Sequence, residues 1–119
     1  MLDSVGVPSY YAHVEAGNIQ ENFEEDFASI AQGNHVILAI PNDSEYTWID
    51  CTSQVHPFGF IGDFTDNRNV LIMKPEGGEI VKTTAYTNQD NFRKTTAVYS
   101  IDETGTMKAT VEITNQGIP

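Results

Sequence analysis

Two runs of apolar and β-branched residues flank a short polar turn in Asn34 to Ser53, NHVILAIPNDSEYTWIDCTS, and they constrain this chain more than any other stretch. Alternating side chains on both sides of turn-forming residues specify an antiparallel hairpin. The turn can be built on Asn42-Asp43 or on the longer Asn42 to Glu45. The first choice pairs His35 with Asp50. The second pairs His35 with Thr52 and leaves Asp50 one step away on the diagonal. In either register strand parity puts His35, Ile37 and Ala39 on the face that carries Tyr46, Trp48 and Asp50. Val36, Leu38 and Ile40 then share the opposite face with Thr47, Ile49 and Cys51.

That parity sorts the chemistry. A histidine and an aspartate brought together at one end of a hairpin form the orienting half of a Cys-His-Asp site, the aspartate holding the ring and the ring serving as base. The nucleophile must lie within hydrogen-bond reach of that base. Cys51 is the chain's single cysteine, and it projects from the other face. It reads as a small buried apolar residue rather than a nucleophile. The plain structural alternatives are that His35 caps a strand and that Asp50 accepts hydrogen bonds from the turn after it.

The remaining punctuation predicts mainly β structure: an antiparallel sheet with one short helix, followed by a β-hairpin of a second unit. Met1 to Gly6 reads as the last turn of a helix stopped at Gly6. Pro8 to Ala16 is a strand, with Tyr10, Ala12 and Val14 on one face and Tyr11, His13 and Glu15 on the other. Residues 19 to 33, IQENFEEDFASIAQG, place Phe23, Phe27 and Ile30 at spacings of four and three, the apolar stripe of a short helix ending at Gly33. After Ser53 comes an irregular loop rich in aromatics and glycine, which packs its own side chains beneath it. Asp63, Asp66 and Asn67 in that loop lack the glycine and terminal glutamate of a calcium loop and read as solvated turn residues. His56 is a loop residue with no evident partner. Val70 to Met73 and Glu79 to Thr83 make two strands around Pro75 to Gly78. A first part, residues 1–83, thus gives way to residues 84–119, a polar linker and the hairpin formed by FRKTTAVYSI and TMKATVEIT around Asp102 to Gly105.

Charge limits the partners. The net charge is -11, and residues 1–67 hold eleven acids and no Lys or Arg. Phosphate and anionic lipid are bound by clustered bases, so nucleic acid and membrane surfaces are poor partners. The acidic first part is either a solvated face or a surface that meets a basic partner. No apolar run reaches the roughly 18 residues a membrane span needs, and the first residues lack the layout of a signal peptide.

NHVILAI followed by YTWIDCTS resembles the His and Asp segments of the transglutaminase-like superfamily, in which a strand with the catalytic histidine precedes a W-x-D-x-T strand. VPSYYAHVEAG, WIDCTSQ, PFGFIGDFTDNRNVLIMKPEGG and VKTTAYTNQDN extend the resemblance over nearly the whole chain. They are similar to large, mostly exported bacterial proteins with a transglutaminase-like domain between β domains. The resemblance implies that His35 is the base, that Asp50 orients it, and that Trp48 and Thr52 are structural positions flanking the aspartate. It implies no cofactor and no metal. Cys51 falls where many relatives have proline, and the nucleophilic cysteine of the family lies before the segment that residues 8–16 match. Residues 1–83 then correspond to the C-terminal part of the catalytic core, and residues 84–119 to the start of a β-sandwich-like domain. Two functions follow. One is a fragment of a cysteine hydrolase or acyltransferase acting on amides or peptides, inactive by itself; the other is a non-catalytic binding or scaffolding module. The partners expected are the upstream part of the same polypeptide, a protein or peptide substrate, and a second copy reached through an exposed sheet face or edge. The expected location is the periplasm or cell surface.

Overall fold

The structure, a computed structural model, describes residues 2–27, 29–54 and 56–117. Met1, Ala28 and Val55, on which parts of the expected helix tail, helix and loop fall, lie outside the described residues. The chain divides into two compact units, Met1–Ala85 and Tyr86–Pro119.

In the first unit a 3-10 turn at Asp3–Val5 ends at Gly6, whose positive φ of 76° closes the turn in the left-handed region open to glycine. Strands follow at Tyr10–Val14 (β1), His35–Asn42 (β2), Glu45–Ile49 (β3), Asn69–Lys74 (β4) and Gly77–Lys82 (β5). They form one antiparallel sheet in the order β3-β2-β1-β4-β5. The β2–β3 hairpin takes the second of the two expected registers, with Asn42 opposite Glu45 and Leu38 opposite Ile49. Asp43 adopts a φ of 47°, the left-handed turn conformation aspartate tolerates.

The sheet is rolled. Four strand spacings would hold the outer strands β3 and β5 about 19 Å apart in a flat sheet. Yet Tyr46 on β3 donates to Glu79 Oε2 on β5 at 3.2 Å. Lys74 pairs with the same carboxylate, and its ammonium lies 5.8 and 5.7 Å from the Tyr10 and Tyr46 ring centres. Glu79 and the Tyr46 hydroxyl raise the Lys74 pKa. The inner face holds Ala12, Val14, Ile37, Ala39, Trp48, Val70 and Ile72, all buried. This is the face that parity assigned to His35 and Asp50.

The helix expected over residues 19–33 does not form. The described residues of that stretch are irregular apart from a 3-10 turn at Ile30–Gln32. Phe23 is 2% exposed, whereas Phe27 and Ile30 are 67% and 58% exposed, so one aromatic enters the core and the stripe does not exist. The backbone finds other partners: Phe23 N–H donates to Asn69 O at 3.3 Å, and the Asn22 side chain accepts from Asn69 N–H at 2.7 Å. Acids at Glu21, Glu24, Glu25 and Asp26 repel one another at helical spacing. Tertiary bonding to the start of β4 outweighs a weak local preference.

The loop between β3 and β4 folds over its own side chains, as expected, and its anchor is Arg68. This buried guanidinium donates to the carbonyls of Glu15 (2.6 Å), Gly17 (3.3 Å), Asp63 (3.0 Å) and Asp66 (3.0 Å). The loop carbonyls beside Asp63 and Asp66 thus serve the chain's own cation. Among the described residues no group of three or more His, Cys, Asp or Glu is placed to hold a metal ion. No helix among them is long and apolar enough to cross a membrane.

The second unit is a two-stranded sheet, Phe92–Ile101 (β6) and Met107–Gln116 (β7), paired from Phe92 opposite Gln116 to Ile101 opposite Met107. By register one face carries Arg93, Thr95, Ala97, Tyr99 and Ile101 with Met107, Ala109, Val111 and Ile113, and the other carries Phe92, Lys94, Thr96, Val98 and Ser100 with Lys108, Thr110 and Glu112.

Candidate functional site

The site begins with the end of the β2–β3 hairpin. His35 opens β2, and Asp50 follows the last residue of β3 on the same inner face. Their side chains meet, with Nε2 of His35 3.0 Å from Oδ2 of Asp50. The Asp50 side chain is 1% exposed and that of His35 is 22% exposed. The acid is therefore sunk in the protein while the ring reaches the surface.

Each oxygen of Asp50 has its own partner. Oδ2 faces the imidazole, and Oδ1 accepts from both Thr52 N–H (2.9 Å) and Thr52 Oγ1 (2.6 Å). Burial pushes the Asp50 pKa up, but the Thr52 hydroxyl and N–H and the His35 ring together outweigh it and leave the carboxyl below the ordinary value of 3.8. Asp50 is ionised at neutral pH.

An ionised carboxylate only accepts hydrogen bonds, so Nε2 must carry the proton that joins the pair. Neutral His35 therefore has a bare Nδ1. Among the described residues no side chain or backbone group bonds to Nδ1, and the Phe64 ring lies tilted beside the imidazole at 6.0 Å. Chemically, a ring held this way can take a proton at Nδ1 while the Asp50 carboxylate stabilises the imidazolium that results.

Cys51 does not belong to it. With Tyr11, Val36, Leu38 and Ile49 it lines a groove of ≈ 680 Å³ on the other face of the sheet, whose lining excludes His35 and Asp50. The expectation that Cys51 is buried is corrected, because its side chain is exposed. It sits in the turn after β3, where no strand continues to cover it. Trp48 is a core residue, opposite Ala39 in the pairing and tilted against Tyr46 at 5.6 Å. His56 is not brought to the pair. Its ring meets Phe60 edge-on at 5.3 Å, with Nδ1 buried and lacking a hydrogen-bond partner among the described residues.

Two contributors had escaped the sequence reading. Phe64 reaches His35 from an irregular loop 29 positions away, and no periodicity links them. Arg68 could have been suspected: it is the first base of the chain, after eleven acids, and sits in the loop that most needs a donor. Comparison with family models, with curated proteins and with solved structures returns no match for this chain.

Proposed function

We propose that His35 and Asp50 are the base and orienter of a transglutaminase-like acyl-transfer site whose thiol comes from a segment other than these 119 residues. The carrying observation is the use of the two imidazole nitrogens: Nε2 is committed to Asp50 at 3.0 Å, and Nδ1 is left bare on a ring that reaches the surface. A thiol delivered to Nδ1 loses its proton there. The thiolate attacks the carbonyl carbon of a glutamine side-chain amide or a peptide, and ammonia or an amine leaves with the proton held by His35. The acyl-enzyme then passes its acyl group to an amine or to water. The family resemblance, in which Trp48 and Thr52 are the positions flanking the aspartate, supports a location outside the bacterial cytoplasm, at the periplasm or cell surface.

The 119-residue chain alone is expected to show no amine incorporation into glutamine-containing protein and no peptide hydrolysis, with or without Cys51→Ala. The deciding experiment reads the coding sequence before Met1 and expresses the longer polypeptide. A cysteine there, together with amine incorporation or peptide hydrolysis that His35→Ala abolishes, supports the reading. A serine or alanine at the corresponding place, or activity that survives His35→Ala, refutes it.

A second reading, a binding or scaffolding module, is favoured by one observation. The outer face of the sheet exposes Tyr11 and Val36 beside the groove that Cys51 lines. A soluble chain covers such a face with something.

A further inference from the structure

We propose that Thr52 is the positioning residue of the pair: it takes Oδ1 of Asp50 with both of its donors, turns Oδ2 toward His35, and so decides which imidazole nitrogen carries the proton. The proposal rests on reading His35 as a base, and it assigns control of that base to a side chain acting through Asp50.

A carboxylate is loosely held about its last torsion, which is broad and nearly two-fold. A single hydrogen bond leaves much of that freedom. Here two donors from one residue, at 2.9 and 2.6 Å, converge on the same oxygen. The torsion is thereby fixed and the second oxygen is left facing Nε2. At 1% side-chain exposure, water has little access with which to replace either donor. Removing the Thr52 hydroxyl therefore frees the carboxylate to rock and to share itself between the ring and the Thr52 N–H.

The chain contains its own control. Asp102 is held by Thr104 N–H at 2.9 Å and Thr104 Oγ1 at 2.6 Å, the same spacing and the same distances, with Thr106 N–H adding a third bond at 3.0 Å. That unit lies exposed in the turn between β6 and β7 and addresses no histidine. Asp-x-Thr is thus a local device for immobilising a carboxylate. At Asp50 the freed oxygen has been given a ring to orient.

The test is a long-range 1H–15N spectrum of the labelled chain, which reports the proton on each nitrogen of His35. The unsubstituted chain is expected to hold the Nε2–H form. Thr52→Val should lower the ratio of Nε2–H to Nδ1–H forms by roughly three- to tenfold, the scale of the net contribution of one ordinary hydrogen bond. Thr52→Ala removes the hydroxyl without putting a methyl in its place and should do the same. Thr52→Ser should restore the original ratio, and Thr104→Val should leave it unchanged. A purely structural Thr52 would shift melting without moving the ratio. If the unsubstituted chain holds Nε2–H and neither hydroxyl-removing variant alters it while Asp50→Asn does, the role of Thr52 is overturned and the base reading stands. If the unsubstituted chain holds Nδ1–H, both are overturned.

Discussion

Asp50 spends each of its oxygens on a different partner, and this makes the first unit sensitive to its loss. Asp50→Ala leaves the Thr52 hydroxyl, the Thr52 N–H and His35 Nε2 without their acceptor. The expected loss is about 2–4 kcal/mol in denaturant unfolding, since three charge-assisted hydrogen bonds to a buried carboxylate are lost together. The pH dependence has a definite sign. The folded pKa of Asp50 lies below the unfolded value, so its stabilisation is complete above about pH 5 and disappears as pH falls through the depressed folded value. Melting curves between pH 6 and 3 should show a smaller acid-induced drop in Asp50→Asn than in the unsubstituted protein; an equal or larger drop contradicts the assignment. Cys51, being exposed, should react with iodoacetamide in the native state within roughly tenfold of its rate in urea. That modification should not move the His35 ring resonances.

At the scale of elements, the hairpin was legible and the covering segment was not, for the same physical reason. Period-two alternation over Asn34 to Ser53 fixes faces whatever the turn, so His35 and Asp50 meet in either register; the turn residues alone left the choice between registers open. Residues 19–33 carry a four-and-three apolar spacing that is the signature of a helix, but the segment's backbone groups are answered from β4. Such a partner is invisible in local sequence. What the segment requires is a close crossing at Gly33, where an added Cβ would lie 3.0 Å from Phe23 Cζ and 3.1 and 3.2 Å from Val14 O and N. The φ of -113° is open to any residue, so the cost is steric. Gly33→Ala should therefore destabilise the first unit by about 1–3 kcal/mol through overpacking against backbone. Wild-type stability in that variant would mean that the crossing is looser than described.

For the whole molecule, the charge asymmetry that composition shows becomes a structural statement at Arg68. The first base after eleven acids is spent on four backbone carbonyls and binds the β3–β4 loop, from which Phe64 meets the His35 ring, to the turn after β1. Arg68→Met should cost about 3 kcal/mol, because four part-buried carbonyls lose their shared donor at once. Arg68→Lys should recover only part, since an ammonium cannot reproduce the planar fork. Nothing in composition or spacing announces that Phe64 accompanies His35, because the rolled sheet and the anchored loop create that proximity. What the molecule offers is a buried acid, a ring bonded to it, and a bare nitrogen. The most direct measurement of that property is the protonation state of His35 in the unsubstituted chain at neutral pH, read from its two ring nitrogens by long-range 1H–15N NMR. In the neutral ring, the proton on Nε2 with Nδ1 bare is the result predicted; the proton on Nδ1, or an even mixture of the two forms, would contradict it.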